Sequence, residues 1–234
     1  MKFSVEKNPY GDAVLFTKKQ IEFNPNTISC LVGCNGTGKT TLIDDITYQL
    51  KTLHATKIRQ DFYEKAFKGI FVKDEEQNEE KIFYINFDKR SDTTYKEMDY
   101  FLNAGNLAFE STGEGIISRF GRHLQVIGNT IRQLPENSTF FIFLDDCDAG
   151  TSIDMIQDIK DIFSFITRDC IARNITYYII LTANSFEMCK DLDCISVHDF
   201  KHRQFKTYDS FKKFVLKSRE IKNKRERTDE NANN

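Results

Sequence analysis

The feature that most constrains this chain is an apolar run, Thr27-Ile28-Ser29-Cys30-Leu31-Val32, that passes without a spacer into Gly33-Cys34-Asn35-Gly36-Thr37-Gly38-Lys39-Thr40. A short apolar run ending at glycines reads as a buried strand. Beyond the loop, Leu42, Ile43, Ile46, Leu50 and Leu53 recur at helical spacing and predict a helix starting near Lys39. Strand, glycine loop and helix in this order are the setting that the pattern G-x-x-x-x-G-K-[ST] requires. Glycines let backbone amides turn inward toward phosphate oxygens, and the helix amino end adds partial positive charge. Lys39 offsets charge on the β and γ phosphates, Thr40 offers its hydroxyl to Mg²⁺, and Thr41 stands beside it on the phosphates.

A second apolar run, Thr139 to Leu144, has the continuous character of a strand in a parallel sheet and stops at Asp145-Asp146. A carboxylate there can hold Mg²⁺ opposite Thr40, usually through its water shell, which assigns Asp145 as the metal residue. Asp146 is then the candidate general base for an attacking water. Its side chain is one methylene shorter than Glu, which predicts slow hydrolysis. The alternative for the pair is an acidic turn that caps a helix. Ile153, Ile156, Ile159, Phe163 and Ile166 trace a following helix, and a further strand, Ile175 to Leu181, ends in the polar group Thr182 to Ser185. Ligands of open α/β sheets bind outside the carboxyl ends of the strands, so the three polar clusters are expected to converge.

The remaining chain is read more coarsely. Phe3 to Val5 and Ala13 to Phe16 predict a β-rich entry, Ile82 to Phe87 a strand, and the stripe from Ile116 to Leu134 a helix stopped by Pro135. Residues 74–80 are acidic and expected in a solvated loop. At 234 residues the chain suits one catalytic domain, 1–217, followed by a charged, Asn-rich tail, 218–234, expected to be disordered. A formal charge of −2 and a pI near 6.1 exclude whole-surface attraction to nucleic acid or anionic lipid. Basic residues from Lys217 to Arg227 leave a local contact with a nucleic-acid backbone open. No stretch reaches the roughly 18 apolar residues of a membrane span, and no signal pattern opens the chain, so a cytoplasmic protein without membrane insertion is expected. The six cysteines read as reduced thiols. Cys189 and Cys194 have the look of a metal half-site, but no matching pair or His cluster accompanies them, and zinc is not expected.

These motifs together resemble the ATP-binding-cassette family over nearly the whole chain. Asn35-Gly36 inside the loop resembles that family's G-x-N-G-x-G-K form. Ser111-Thr112-Gly113-Glu114, just before the stripe at Ile116, resembles its Ser-Gly-Gly-Gln signature, and Thr151-Ser152-Ile153-Asp154 its Ser-Ala-Leu-Asp loop. The resemblance implies an α/β phosphate-loop ATPase: a mostly parallel sheet flanked by helices, with an antiparallel amino-terminal β part and a helical part behind the signature. It implies ATP and Mg²⁺ as cofactors and an ATP-dependent homodimer, in which Ser111, Gly113 and Glu114 face the γ-phosphate bound by the second subunit. Asn184 occupies the place of the family's switch histidine, a group that can hydrogen-bond the γ-phosphate region without titrating.

Departures narrow the resemblance. Glu110, Thr112 and Glu114 replace the family's Leu, Gly and Gln, and Ser followed by Gly-Glu is more like chromosome-maintenance and recombination ATPases than transporters. A lid glutamine is not identifiable, since Gln77 lies in the acidic run and Gln60 too near the first helix. Tyr10 and Phe16 are candidates for adenine stacking, with core packing as the alternative. Compact relatives of this kind imply roles in DNA repair, phage or defence processes and a protein effector such as a nuclease. Two other readings stay open: an ATP-gated binding module with little hydrolysis, and the nucleotide-binding subunit of a membrane transporter.

Overall fold

A computed structural model describes residues 1–6, 15–61, 68–72, 81–87, 112–149 and 151–232. The elements are β1 (Lys2–Ser4), β2 (Gln20–Glu22), β3 (Thr27–Val32), α1 (Lys39–Thr52), β4 (Thr56–Asp61), β5 (Lys68–Val72) and β6 (Ile82–Phe87). They continue with α2 (Thr112–Gln133), β7 (Thr139–Leu144), α3 (Ile153–Ala172), β8 (Thr176–Thr182), α4 (Phe186–Cys189), β9 (Asp193–Ser196), β10 (His202–Arg203) and α5 (Tyr208–Ala232). β1 and β2 pair antiparallel, Phe3 opposite Ile21, which agrees with the antiparallel part that the resemblance implies, but the second strand lies at Gln20–Glu22, and Leu15 and Phe16 of the expected run Ala13 to Phe16 are not in a strand. An eight-stranded sheet has the order β10-β9-β3-β8-β7-β6-β4-β5. Its inner pairs are parallel, and the antiparallel pairs β9/β10 and β4/β5 close its two edges.

Side chains alternate across a strand, and both faces of the central strands are buried. On β7, Phe140, Ile142 and Leu144 join one core cluster, with Val126, Ile127 and Ile131 of α2 and Ile156, Ile159 and Phe163 of α3. Phe141 and Phe143 point the other way, into a cluster with Leu42, Ile43, Ile46 and Leu50 of α1 and with Phe3 and Ile21. This two-sided burial is why β7 carries no polar residue after Thr139.

α5 continues to Ala232, through the stretch from Ser218 where the sequence reading places a disordered tail. Lys, Arg and Glu are good helix formers, so a polar segment becomes helical once tertiary contacts hold its first half. Ser218 supplies such a contact, being 6 % exposed.

Candidate functional site

The three polar clusters meet at the carboxyl edge of the sheet. β8 lies between β3, which leads into the glycine loop, and β7, which ends at Asp145. A single strand therefore separates loop and carboxylate, and its last residue joins them. The Thr182 hydroxyl, 1 % exposed, donates to Asp145 Oδ1 at 2.7 Å and accepts from the Asp146 amide at 2.6 Å. The other carboxylate oxygen of Asp145, Oδ2, accepts from the Thr40 hydroxyl at 2.9 Å. Residues 105 apart in sequence are thus in direct contact. A hydroxyl and a carboxylate oxygen at this spacing form the hard oxygen donor set that Mg²⁺ takes, so the residues present fit the ion.

Within the loop, Gly36 and Gly38 adopt φ of +78° and +90°, the left-handed region that suits glycine. Both are also crowded: a Cβ on Gly36 would lie 2.8 Å from Lys222 Nζ, and one on Gly38 would lie 2.5 Å from Leu15 Cδ2. Thr37, 6 % exposed, donates from its hydroxyl to the Cys34 carbonyl at 2.8 Å and braces the turn from within. Gly38 is the N-cap of α1; it gives the helix no side-chain cap, and the first turn holds no acidic residue. A helix start left in this state attracts anions. Lys39 Nζ donates to the carbonyls of Gly33 at 3.0 Å and Cys34 at 3.4 Å, and to Asn184 Oδ1 at 2.9 Å. Burial pulls the Lys39 ammonium below its ordinary pKa, while the charges of Asp146 and Asp145 pull it back up.

Asn184 works in two directions. Its Oδ1 takes the lysine, and its Nδ2 donates to Asp146 Oδ1 at 2.7 Å. Asp146 itself has a φ of +56°, uncommon for a non-glycine residue, and turns the chain sharply at the end of β7. Asp148 holds the far side: its carboxylate, 7 % exposed, accepts from the amides of Asn184 at 2.9 Å and Ser185 at 2.6 Å. The amide plane of Asn184 is therefore fixed from behind by a charge-assisted pair.

Most sequence-assigned residues fall in this place. Gly33 to Thr41 form the loop and the start of α1, with Asp145, Asp146 and Asn184 facing it. Ser111 lies outside the described residues, as do Tyr10, Gln77 and Glu110. Gly113 and Glu114 fall in the first turn of α2, so the helix begins earlier than its apolar stripe indicates. Phe16 is 1 % exposed, with its ring centroid 5.6 Å from that of Phe200, so it is core and its face is closed to adenine. Ile153 of the Thr151-Ser152-Ile153-Asp154 segment is 68 % exposed at the start of α3, and the Ser152 hydroxyl donates to Asp154.

Asp148 and Ser218 escape the sequence reading, Thr182 enters it only as part of a polar group, and Lys222 only as part of the basic run. Ser218 Oγ accepts from the Cys34 amide at 3.2 Å across a sequence separation of 184, and Lys222 stands over Gly36 from the next turn of α5. Arg225 donates to the Leu15 carbonyl and contacts His198. Part of the basic carboxyl-terminal run is thus directed at the loop and its surroundings. Only the third Asp of Asp-Asp-Cys-Asp could have been flagged in advance, as one more carboxylate at a strand end.

No family model and no curated protein matches the chain. Among solved structures, an ATP-binding cassette of an ABC transporter is similar over 91 % of this chain and 93 % of its own length, at 13 % identity and a TM-score of 0.45. A likeness at that level carries no functional argument, and the case for function is made by the side chains above. No helix among the described residues is long and apolar enough to cross a membrane.

Proposed function

We propose that the protein is an ATPase of the ATP-binding-cassette kind, binding Mg-ATP at Gly33 to Thr41 and hydrolysing it slowly. The observation that carries this reading is the contact of Thr40 with Asp145 at 2.9 Å, made between a glycine-loop helix and the end of a separate strand. A glycine turn with no nucleotide role has no reason to meet a strand-end carboxylate. Thr40 and Asp145 would hold Mg²⁺, which when bound offsets charge on the β and γ phosphates.

This chain's own groups account for the rest. Loop amides and the Lys39 ammonium bind the triphosphate, and Asp146 orients a water and accepts its proton as the water oxygen attacks the γ-phosphorus. The bond from that phosphorus to the bridging oxygen breaks, leaving ADP and inorganic phosphate. Asn184, held by Asp148, keeps Asp146 in register with Lys39 and carries no charge of its own. The short Asp146 side chain, tied to Asn184, supports a slow step and equally a second reading, an ATP-gated binding module.

The signature resemblance of Ser111, Gly113 and Glu114, together with the exposed Ile153, supports closure of two copies on two nucleotides. The signature's Glu and the lack of an identifiable lid glutamine favour the head-type relatives over transporter subunits. An effector in repair or defence processes is the partner that this resemblance suggests, and copurification from the native host tests it.

The experiment is phosphate release by purified protein with Mg-ATP, beside Asp146→Asn, together with nucleotide titration of both. The proposal expects both proteins to bind ATP and the variant to release phosphate about 100-fold more slowly, within the range of general-base losses. Binding without release above background in either would select the gated module. Absence of binding to the unaltered protein would overturn both. Light scattering with and without ATP tests the dimer, which requires a doubling of mass.

A further inference from the structure

Sulfur collects at one place outside the nucleotide site. Cys30, Cys189 and Cys194 bring their Sγ atoms within 4.8 Å of one another, and all three are 0 % exposed. Three elements supply them: β3, α4 and β9. Cys30 and Cys194 are register partners in the parallel pair of β3 and β9, and Cys189 is the last residue of α4. The Sγ atoms of Cys30 and Cys189 are 3.7 Å apart, and the Cys194 thiol donates to the Cys189 carbonyl at 3.3 Å. Metal–sulfur bonds of about 2.3 Å impose sulfur separations of about 3.8 Å in a tetrahedron and about 4.0 Å in a trigonal plane. The Cys30–Cys189 separation is already close to the metal-bound one, the remaining sulfur separations lie within 4.8 Å, and a disulfide would need roughly 2.05 Å.

Sequence spacing alone offers Cys189 and Cys194 as an incomplete half-site. The fold completes it with a cysteine 159 residues away in sequence. No fourth His, Cys, Asp or Glu ligand joins the group among the described residues. A closed structural zinc site takes four side chains, whereas soft thiolate donors select Cu(I), an ion that accepts three sulfurs in a plane.

We propose that Cys30, Cys189 and Cys194 form a buried three-sulfur site for one Cu(I) ion. Binding replaces the S–H contacts with copper–sulfur bonds and releases the thiol protons to solvent. The ion changes no oxidation state. Lys160 of α3 donates to the Lys190 carbonyl at 2.7 Å and so ties the chain beside Cys189 to the neighbouring helix. With the metal in place, β3, α4 and β9 are clamped at the foot of the glycine loop, since Cys30 is three residues before Gly33 and α4 follows Asn184 and Ser185 directly.

Full-length reduced protein, refolded without oxygen in the presence of Cu(I) alone and then desalted, tests the site with a chromogenic Cu(I) chelator. About one copper per chain is expected, with loss of most of it in Cys30→Ala and Cys194→Ala and retention in Cys170→Ala, whose thiol is buried elsewhere. Copper K-edge spectroscopy of the unaltered protein keeps the question open to decision where a variant fails to fold: three sulfur neighbours support the site, and any other ligand count overturns it. Equal retention of Zn(II) in a parallel refolding overturns the copper assignment. Absence of bound copper, or the same copper content in Cys194→Ala, overturns the site itself.

Discussion

Two regions of the same sheet follow opposite rules. In its body, β7 offers Phe140 to Leu144 to two apolar clusters and makes no polar contact beyond the ladder. At its carboxyl edge, one residue further on, every side chain that matters is polar and is held by hydrogen bonds from another element. Asp145 answers to Thr40 and Thr182, Asp146 to Asn184, and Asn184 to Asp148. The body is specified by volume and the edge by partner. Body substitutions should therefore change stability and spare ligand binding, and edge substitutions should do the reverse.

The largest effect expected is in the body. Phe143→Ala removes a ring that is 0 % exposed and should lower unfolding free energy by about 3–5 kcal/mol in denaturant melts, while the folded fraction binds ATP as before. A loss below about 1 kcal/mol would break the contrast, because it would mean the interior can collapse around the gap. Next comes Lys39→Ala, which should weaken ATP by about 10- to 100-fold in calorimetric titration, the value of a charge-assisted contact. Its melting midpoint should stay near that of the unaltered protein, and turnover at the normal level would remove the loop from the functional account.

Thr182→Val sharpens the comparison, because Thr182 belongs to both regions: it is buried in β8 and polar at the edge. Leaving the Asp146 amide without its acceptor should lower stability by about 1–3 kcal/mol and reduce phosphate release as well. A change in one quantity alone would place the border between the regions on one side of this residue. The smallest effect is expected for Lys222→Ala at the loop surface, a weakening of ATP binding of about twofold to fivefold, in line with exposed ion pairs. Raising salt should shrink that difference further.

Much of the body is legible from sequence alone. The runs read as strands at Thr27 to Val32, Ile82 to Phe87 and Thr139 to Leu144 coincide with β3, β6 and β7, because two-sided burial leaves a continuous apolar signature. β4, with Lys57, Arg59 and Gln60 around Ile58, and the short β9 and β10 carry no such signature. β4 is paired on both sides but exposes Lys57 and Arg59 beside buried Ile58, and β9 and β10 are only four and two residues long, so none of them leaves a continuous apolar run. At the site, the loop and the paired aspartates are visible because both are local patterns. Thr182, Asp148 and Ser218 act across 36 to 184 residues of chain, and the cysteine trio across 159. Periodicity holds no information at such range. The helical course of α5 beyond Ser218 is hidden in the sequence for a related reason: composition reports solubility, while the helix owes its place to a few specific contacts.

The bond between Ser218 and the Cys34 amide has a practical consequence for anyone trimming the protein. A version ended at 217, the boundary that composition recommends, would strip the acceptor from an amide inside the glycine turn and withdraw Lys222 from above Gly36. A shortened form that keeps both contacts must run at least through Lys222 of the last helix. Affinity handles and fusion partners belong beyond its far end, where they do not pull on the glycine turn.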